Sequence, residues 1–201
     1  MNDFLPKGYE TPESEQRYME LEEGQNTFRI LSQAIVGYEW WEATDDGGRV
    51  PRRVRTAGEV PAEVKNAGQS RDKAKHFWAF VVYNYQTQTI QVLELKQQTI
   101  MRAIEAFVKN PKWGNPQRYD LVIEKVKTGS RDWDVEYHVI PEPPTKLDAG
   151  IAELAKMVPV RLEAMYTGDD PFAVTDEAEQ EVKNGKSGRD TTASRRTRVY
   201  S

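Results

Sequence analysis

Two clusters of aromatic residues lie on either side of a run of cations. Tyr38, Trp40 and Trp41 stand in GYEWWE, and Phe77, Trp78, Phe80, Tyr83 and Tyr85 in HFWAFVVYNY. Between them come Arg52, Arg53, Arg55, Arg71, Lys73 and Lys75. Flat rings beside cations can hold a single-stranded nucleic acid. A base stacked on a ring contributes about 1–3 kcal/mol, and cations on phosphates add a salt-dependent contribution. The same rings can also fill a core. Strand residues alternate between two faces, and the stretch 76–85 is apolar or aromatic on both. An isolated small barrel cannot cover both faces, so some of these rings are expected at the surface. Trp40, Trp78 and Phe80, which neighbour the basic loop, are placed nearest the ligand.

Other chemistries find little support. There is no phosphate-binding GxxxxGK[ST], and no GxGxxG, HExxH or GxSxG. The chain has no cysteine and two histidines, His76 and His138, so neither a disulfide nor a thiolate zinc site can form. No metal or cofactor is expected. Asp132 and Asp134 sit two apart, a spacing that puts two carboxylates on one strand face. Metal nucleases use clustered carboxylates, but this pair opens a hairpin strand and reads as water-facing. His76 reads as part of the cationic rim or as a plain strand residue. Trp113, in KNPKWGNP, reads as a turn tryptophan covering one end of the core, or as a border of the cleft. Asp169, Asp170, Pro171 and Phe172 form a short acidic and aromatic peptide suited to protein recruitment, or else belong to a plain linker.

The elements that must position these residues follow from periodicity. Strands are expected over 27–31, 36–42 and 50–55, with a turn at Asp45–Gly48, then a long loop over 56–72. Strands 76–85 and 89–96 form a hairpin. In 97–110, Ile100, Met101, Ile104, Phe107 and Val108 recur at three- and four-residue spacing, the mark of an amphipathic helix. Strands 118–127 and 132–140 follow, the second with Trp133, Val135, Tyr137 and Val139 on one face. A helix is expected over 147–158. This order predicts a mainly β fold with few helices: a five-stranded OB-like barrel, one crossover helix, a C-terminal helix and a disordered tail. Four regions are expected: a flexible acidic arm (1–26), the barrel (27–147), a helical segment (148–166) and the tail (167–201).

Taken whole, the composition argues against a polyanion partner, since the net charge is −4. Its distribution reverses that. Residues 1–26 carry 2 basic and 7 acidic groups, residues 27–147 carry 18 and 15, and residues 148–201 carry 8 and 10. The middle is therefore basic between acidic flanks, and a polyanion responds to the local field. No apolar run is long enough to span a membrane, and MNDFLPKGYE lacks the order of a signal peptide. These features and the absence of cysteine suit a cytoplasmic protein.

The blocks FRIL, GYEWW, VPRRVR, KHFWAFVVYN, IQVLEL with the helix after it, KWGNPQRYDLVIEK and YHVIPEPP together resemble the single-stranded DNA-binding proteins of tailed phages and prophages. The resemblance covers about residues 27–147. It implies an OB-fold core with an aromatic cleft, non-catalytic binding of little sequence preference, and a role in replication or recombination. The DDPF segment is similar to the acidic, phenylalanine-containing tails through which such proteins recruit partners, although here it is internal and a basic tail follows it. The expected partner is single-stranded DNA, with RNA as the alternative ligand. An OB-like adaptor in a replication or recombination complex, and more remotely a metal nuclease, are the competing readings.

Overall fold

A computed structural model describes residues 16–56, 60, 62, 73–131 and 133–173. It is mainly β. The strands are β1 (Tyr18–Met19), β2 (Gly24–Ile30), β3 (Ile35–Ala43), β4 (Arg49–Arg55), β5 (Lys75–Asn84), β6 (Thr89–Leu95), β7 (Asp120–Lys127) and β8 (Val135–Pro141). Helix α1 spans Gln98–Lys109 and α2 spans Ala149–Met157. Short 3-10 turns cover Pro116–Arg118 and Leu162–Tyr166.

All eight strands belong to one mixed sheet, ordered β1-β6-β5-β2-β7-β8, with the β3–β4 hairpin branching from β5. The expected closed five-stranded barrel is not what forms. Among the described residues no ladder joins β8 to β6, and β1 runs parallel to β6 at that edge, with Tyr18 opposite Val92. Residues 18–26, expected in a loose arm, therefore supply β1 and the start of β2, and Met19 is buried in the core.

β2 and β3 share one partner. The far half of β5 pairs with β2, Val82 opposite Ile30, and its near half with β3, Ala79 opposite Ile35. At the break, the Leu31 N–H donates to the Val81 carbonyl at 2.9 Å and the Val81 N–H donates to Ser32 Oγ at 2.9 Å. A side-chain oxygen thus stands in for a ladder carbonyl, so the backbone bends without orphaning a buried donor. Gly37 is needed just beyond it, since a Cβ there would lie 2.1 Å from the Val54 carbonyl oxygen. Gly47, at φ 81°, makes the turn into β4 that Asp46-Gly47-Gly48 predicts.

Both faces of β5 are covered. On one, Phe28, Phe80, Leu93, Leu95, Leu121 and Ile123 pack against Ile100, Met101 and Ile104 of α1. Trp113 closes the end of this core, with ring centroids 6.3 Å from Phe107 and 5.6 Å from Tyr119, so it acts as a cover. On the other face, Phe77, Ala79, Val81, Ile90 and Val92 lie under Leu162 and Met165, with Leu154 of α2 alongside. α2 begins where Asp148 accepts hydrogen bonds from the N–H groups of Gly150 and Ile151, at 2.7 and 3.3 Å. Trp133, expected on the face shared by β8, precedes that strand and is exposed.

One buried ion pair fastens the sheet to the strap that follows β8. Arg29 Nε bonds the Asp120 carboxylate, and its Nη2 donates to Thr145 Oγ1 at 2.7 Å. The Tyr85 hydroxyl donates to Asp120 at 3.0 Å. Burial, aided by that hydrogen bond and the carboxylate charge, pushes the Tyr85 phenol up to about 12.

Candidate nucleic-acid interface

Residues directly opposite one another in a sheet project to the same face, and the register sorts the predicted residues accordingly. Val36 faces Trp78, Tyr38 faces His76 and Val54, and Trp40 faces Arg52. These rungs share the α1 face of β5 but lie along the β3–β4 hairpin. Trp78, His76 and Tyr38 are each half-buried, so part of each ring surface stays open. Tyr38 and His76 meet edge to face, with centroids 5.3 Å apart. Successive residues on one strand face are about 6.8 Å apart, so the stripe offers rings at regular steps.

On the opposite face Gly37, Glu39 and Trp41 of β3 stand opposite Phe77, Lys75 and Pro51 respectively. Here a pocket of about 280 Å³ is lined by Trp40, Trp41, Arg49, Lys73, Lys75 and Lys96, with Glu39 at its base. Trp41 is 48% exposed, whereas Trp40 is 7% exposed and serves as a wall. Glu39 is 5% exposed and bound on both sides, by Arg53 at 2.7 Å and Lys96 at 2.5 Å. Burial alone would raise its pKa, but these two cations outweigh it and hold the carboxyl below its ordinary range. Burial likewise would lower Lys96, yet Glu39 and Glu94 keep it raised and charged. Lys73 and Lys75 make no ion pair among the described residues. The pocket is therefore cationic.

The expected rim is less free than its sequence suggests. Arg52 pairs with Glu42, Arg53 with Glu39 and Glu94, and Arg55 with Glu163. Arg53 also lies over the Phe77 ring at 5.4 Å, and Arg55 over Tyr166 at 4.8 Å. Arg71 lies outside the described residues. Phe77 and Phe80 are 0% and 2% exposed, which corrects the expectation that they meet bases. Tyr83 packs against the second core and meets Tyr85 edge to face at 5.0 Å. Phe80 is covered by α1, and Phe77 and Tyr83 by the C-terminal segment, which closes the face of β5 that an isolated barrel would leave bare.

That segment includes the acidic peptide. Pro171 is buried, its carbonyl accepting from the Arg161 N–H at 2.8 Å. Phe172 packs edge-on against Tyr18 at 6.0 Å, with Arg17 over its ring. Asp170 pairs with Arg17 at 2.8 Å, and Asp169 accepts from Thr167 Oγ1 at 2.7 Å. The peptide is docked on its own chain rather than free. The basic and acidic tail beyond it, 174–201, lies outside the described residues.

Lys96 and Arg49 belong to the geometry without having been singled out in the sequence, and His76, read there as rim or plain strand, lies in the stripe. The sequence signal for Lys96 is local: it directly follows the strand that carries Glu94. Among the described residues no group of three or more acidic or histidine side chains could hold a metal. Asp134 is held by Arg131, and Asp132 lies outside the described residues. No described helix is long and apolar enough to cross a membrane. No family model, curated protein or solved structure matches the chain.

Proposed function

We infer that the chain is a non-catalytic single-stranded DNA-binding protein of the kind tailed phages and prophages use in replication or recombination. The observation that carries this reading is the half-buried stripe Trp78, His76 and Tyr38 on one face of the β3–β5 sheet, with a pocket on the other face whose Lys73 and Lys75 make no ion pair among the described residues. Bases stack along the stripe, and Lys73 and Lys75, at the start of β5, meet phosphates where the strand rounds that end of the sheet to the pocket face. The strand path β6-β5-β2-β7-β8 supports reading the sheet as an opened OB-type barrel, with β2 and β3 as its first strand. Replication or recombination proteins are the partners this role implies, met through the C-terminal tail. Titration with oligo-dT, followed by tryptophan fluorescence at low and high salt, tests the reading. Quenching that weakens with salt is expected, and its absence at about 50 mM salt would remove the proposal, since phosphate contacts dominate there.

One observation favours the adaptor reading. Arg52, Arg53 and Arg55 are matched by internal carboxylates, as they would be if the surface met a protein. Unquenched fluorescence together with a discrete protein complex would favour it.

A further inference from the structure

A second pocket, of about 290 Å³, opens between the β2–β3 break, α1 and the turn before β7. Its floor includes Trp78 and Ile104, and its rim carries the amides of Gln33, Asn115 and Gln117. No charged side chain lines it, although 30% of the chain is charged. Asn115 donates to the Gln117 side-chain oxygen at 3.3 Å and accepts from the Gln117 backbone N–H at 2.9 Å. The Gln117 side-chain nitrogen, and the whole Gln33 amide, have no partner among the described residues.

An uncharged apolar floor with open amides at its rim suits a flat neutral ring with a hydrogen-bonding edge. Its size, at the lower limit of ligand pockets, suits a single ring system. Trp78 belongs both to this pocket and to the aromatic stripe, so a strand following the stripe passes the pocket mouth.

We propose that this pocket takes one unstacked thymine base of the bound strand. The amides of Gln33 and Gln117 meet its carbonyl and imide edge, and its methyl lies against Ile104 and Val108. This rests on the single-strand reading and deepens it. The phosphates give affinity without reading sequence, while the pocket adds a salt-independent preference for a base that RNA lacks.

Oligo-dT and oligo-dU of equal length differ only in the methyl groups, so the part of their difference that plugging the pocket removes belongs to the pocket. Burying one methyl at about 0.8 kcal/mol corresponds to about fourfold tighter binding of oligo-dT. Ala34→Trp, which plugs the pocket from an exposed position, is expected to abolish that difference. It should also lower affinity about tenfold at every salt concentration without changing the salt slope. A Gln33→Ala/Gln117→Ala variant should weaken both oligonucleotides alike and serves where the tryptophan variant does not fold. Equal affinity of the wild type for both strands overturns the assignment and leaves the pocket to a protein side chain. So does a folded Ala34→Trp variant that keeps the preference, or an amide variant of undiminished affinity. Failure of the wild type to bind either strand removes the single-strand reading itself, and this inference with it.

Discussion

The ring of Tyr166 sits 6.1 Å from that of Phe77, tilted 54° to it, and its hydroxyl donates to the Val36 carbonyl at 2.8 Å. The C-terminal segment is thereby tied to β3 and β5 at the aromatic cluster, and a surface open in sequence becomes an interior. Replacing Met165, buried beneath it, with alanine should cost about 2–5 kcal/mol of stability. Denaturant melts of the variant and wild type check this. An unchanged midpoint would mean that the segment does not cover the sheet in solution.

Rings in the stripe and rings in the core should separate cleanly. Tyr38→Ala is expected to weaken oligo-dT binding by about 1–3 kcal/mol with a modest effect on melting. Phe77→Ala should lower stability by about 3–5 kcal/mol. Parallel binding and melting curves distinguish the two, and a Tyr38 variant with full affinity would take that ring out of the interface.

The lysines and the arginines should also differ in kind. Lys75→Gln should lower the slope of log affinity against log salt by about 0.7, the value for one single-strand phosphate contact. Arg53→Gln leaves the buried Glu39 carboxylate with one partner fewer. It should destabilise the fold and leave that slope unchanged, which salt titrations and melts together reveal.

Two titrations bracket the stable pH range. Tyr85 has its folded pKa raised to about 12 from 10.0, so its contribution is complete below about pH 10 and is lost as pH rises through about 12. Tyr85→Phe should flatten that alkaline loss. Glu39 has its folded pKa lowered from 4.5. Its contribution is present above that value and is lost as pH falls through the folded pKa, and Glu39→Gln should remove that acid limb. Stability curves over about pH 3–12 show whether each limb belongs to its residue.

Much of the architecture was legible from spacing. The hairpin 76–96, the amphipathic run Ile100–Val108 and the alternation Tyr119, Leu121 and Ile123 each correspond to an observed element, because each buries one face at a local period. The eight-stranded open sheet was less accessible. β1 is only two residues long and pairs in parallel with a strand some seventy residues away, a contact with no local signature. The site suffered most at β5. Its two apolar faces announced two coverings, and the first, α1, follows directly in sequence. The second comes from Leu162 and Met165, in a 3-10 turn of five residues that is too short to show a period. Likewise, the arginines of β4 advertise charge, but their carboxylate partners lie on β3, on β6 and in the C-terminal segment.

The hydrogen bond from Tyr166 to Val36 spans 130 residues. During synthesis at about 5–20 residues per second, β3 leaves the ribosome roughly 7–26 s before its last cover exists. In the later part of that interval the nascent sheet presents Phe77, Val81 and Ile90 bare, a sticky plane in a crowded cell. Translation speed between the two points, and chaperones that shelter such planes, thus become determinants of yield for this chain.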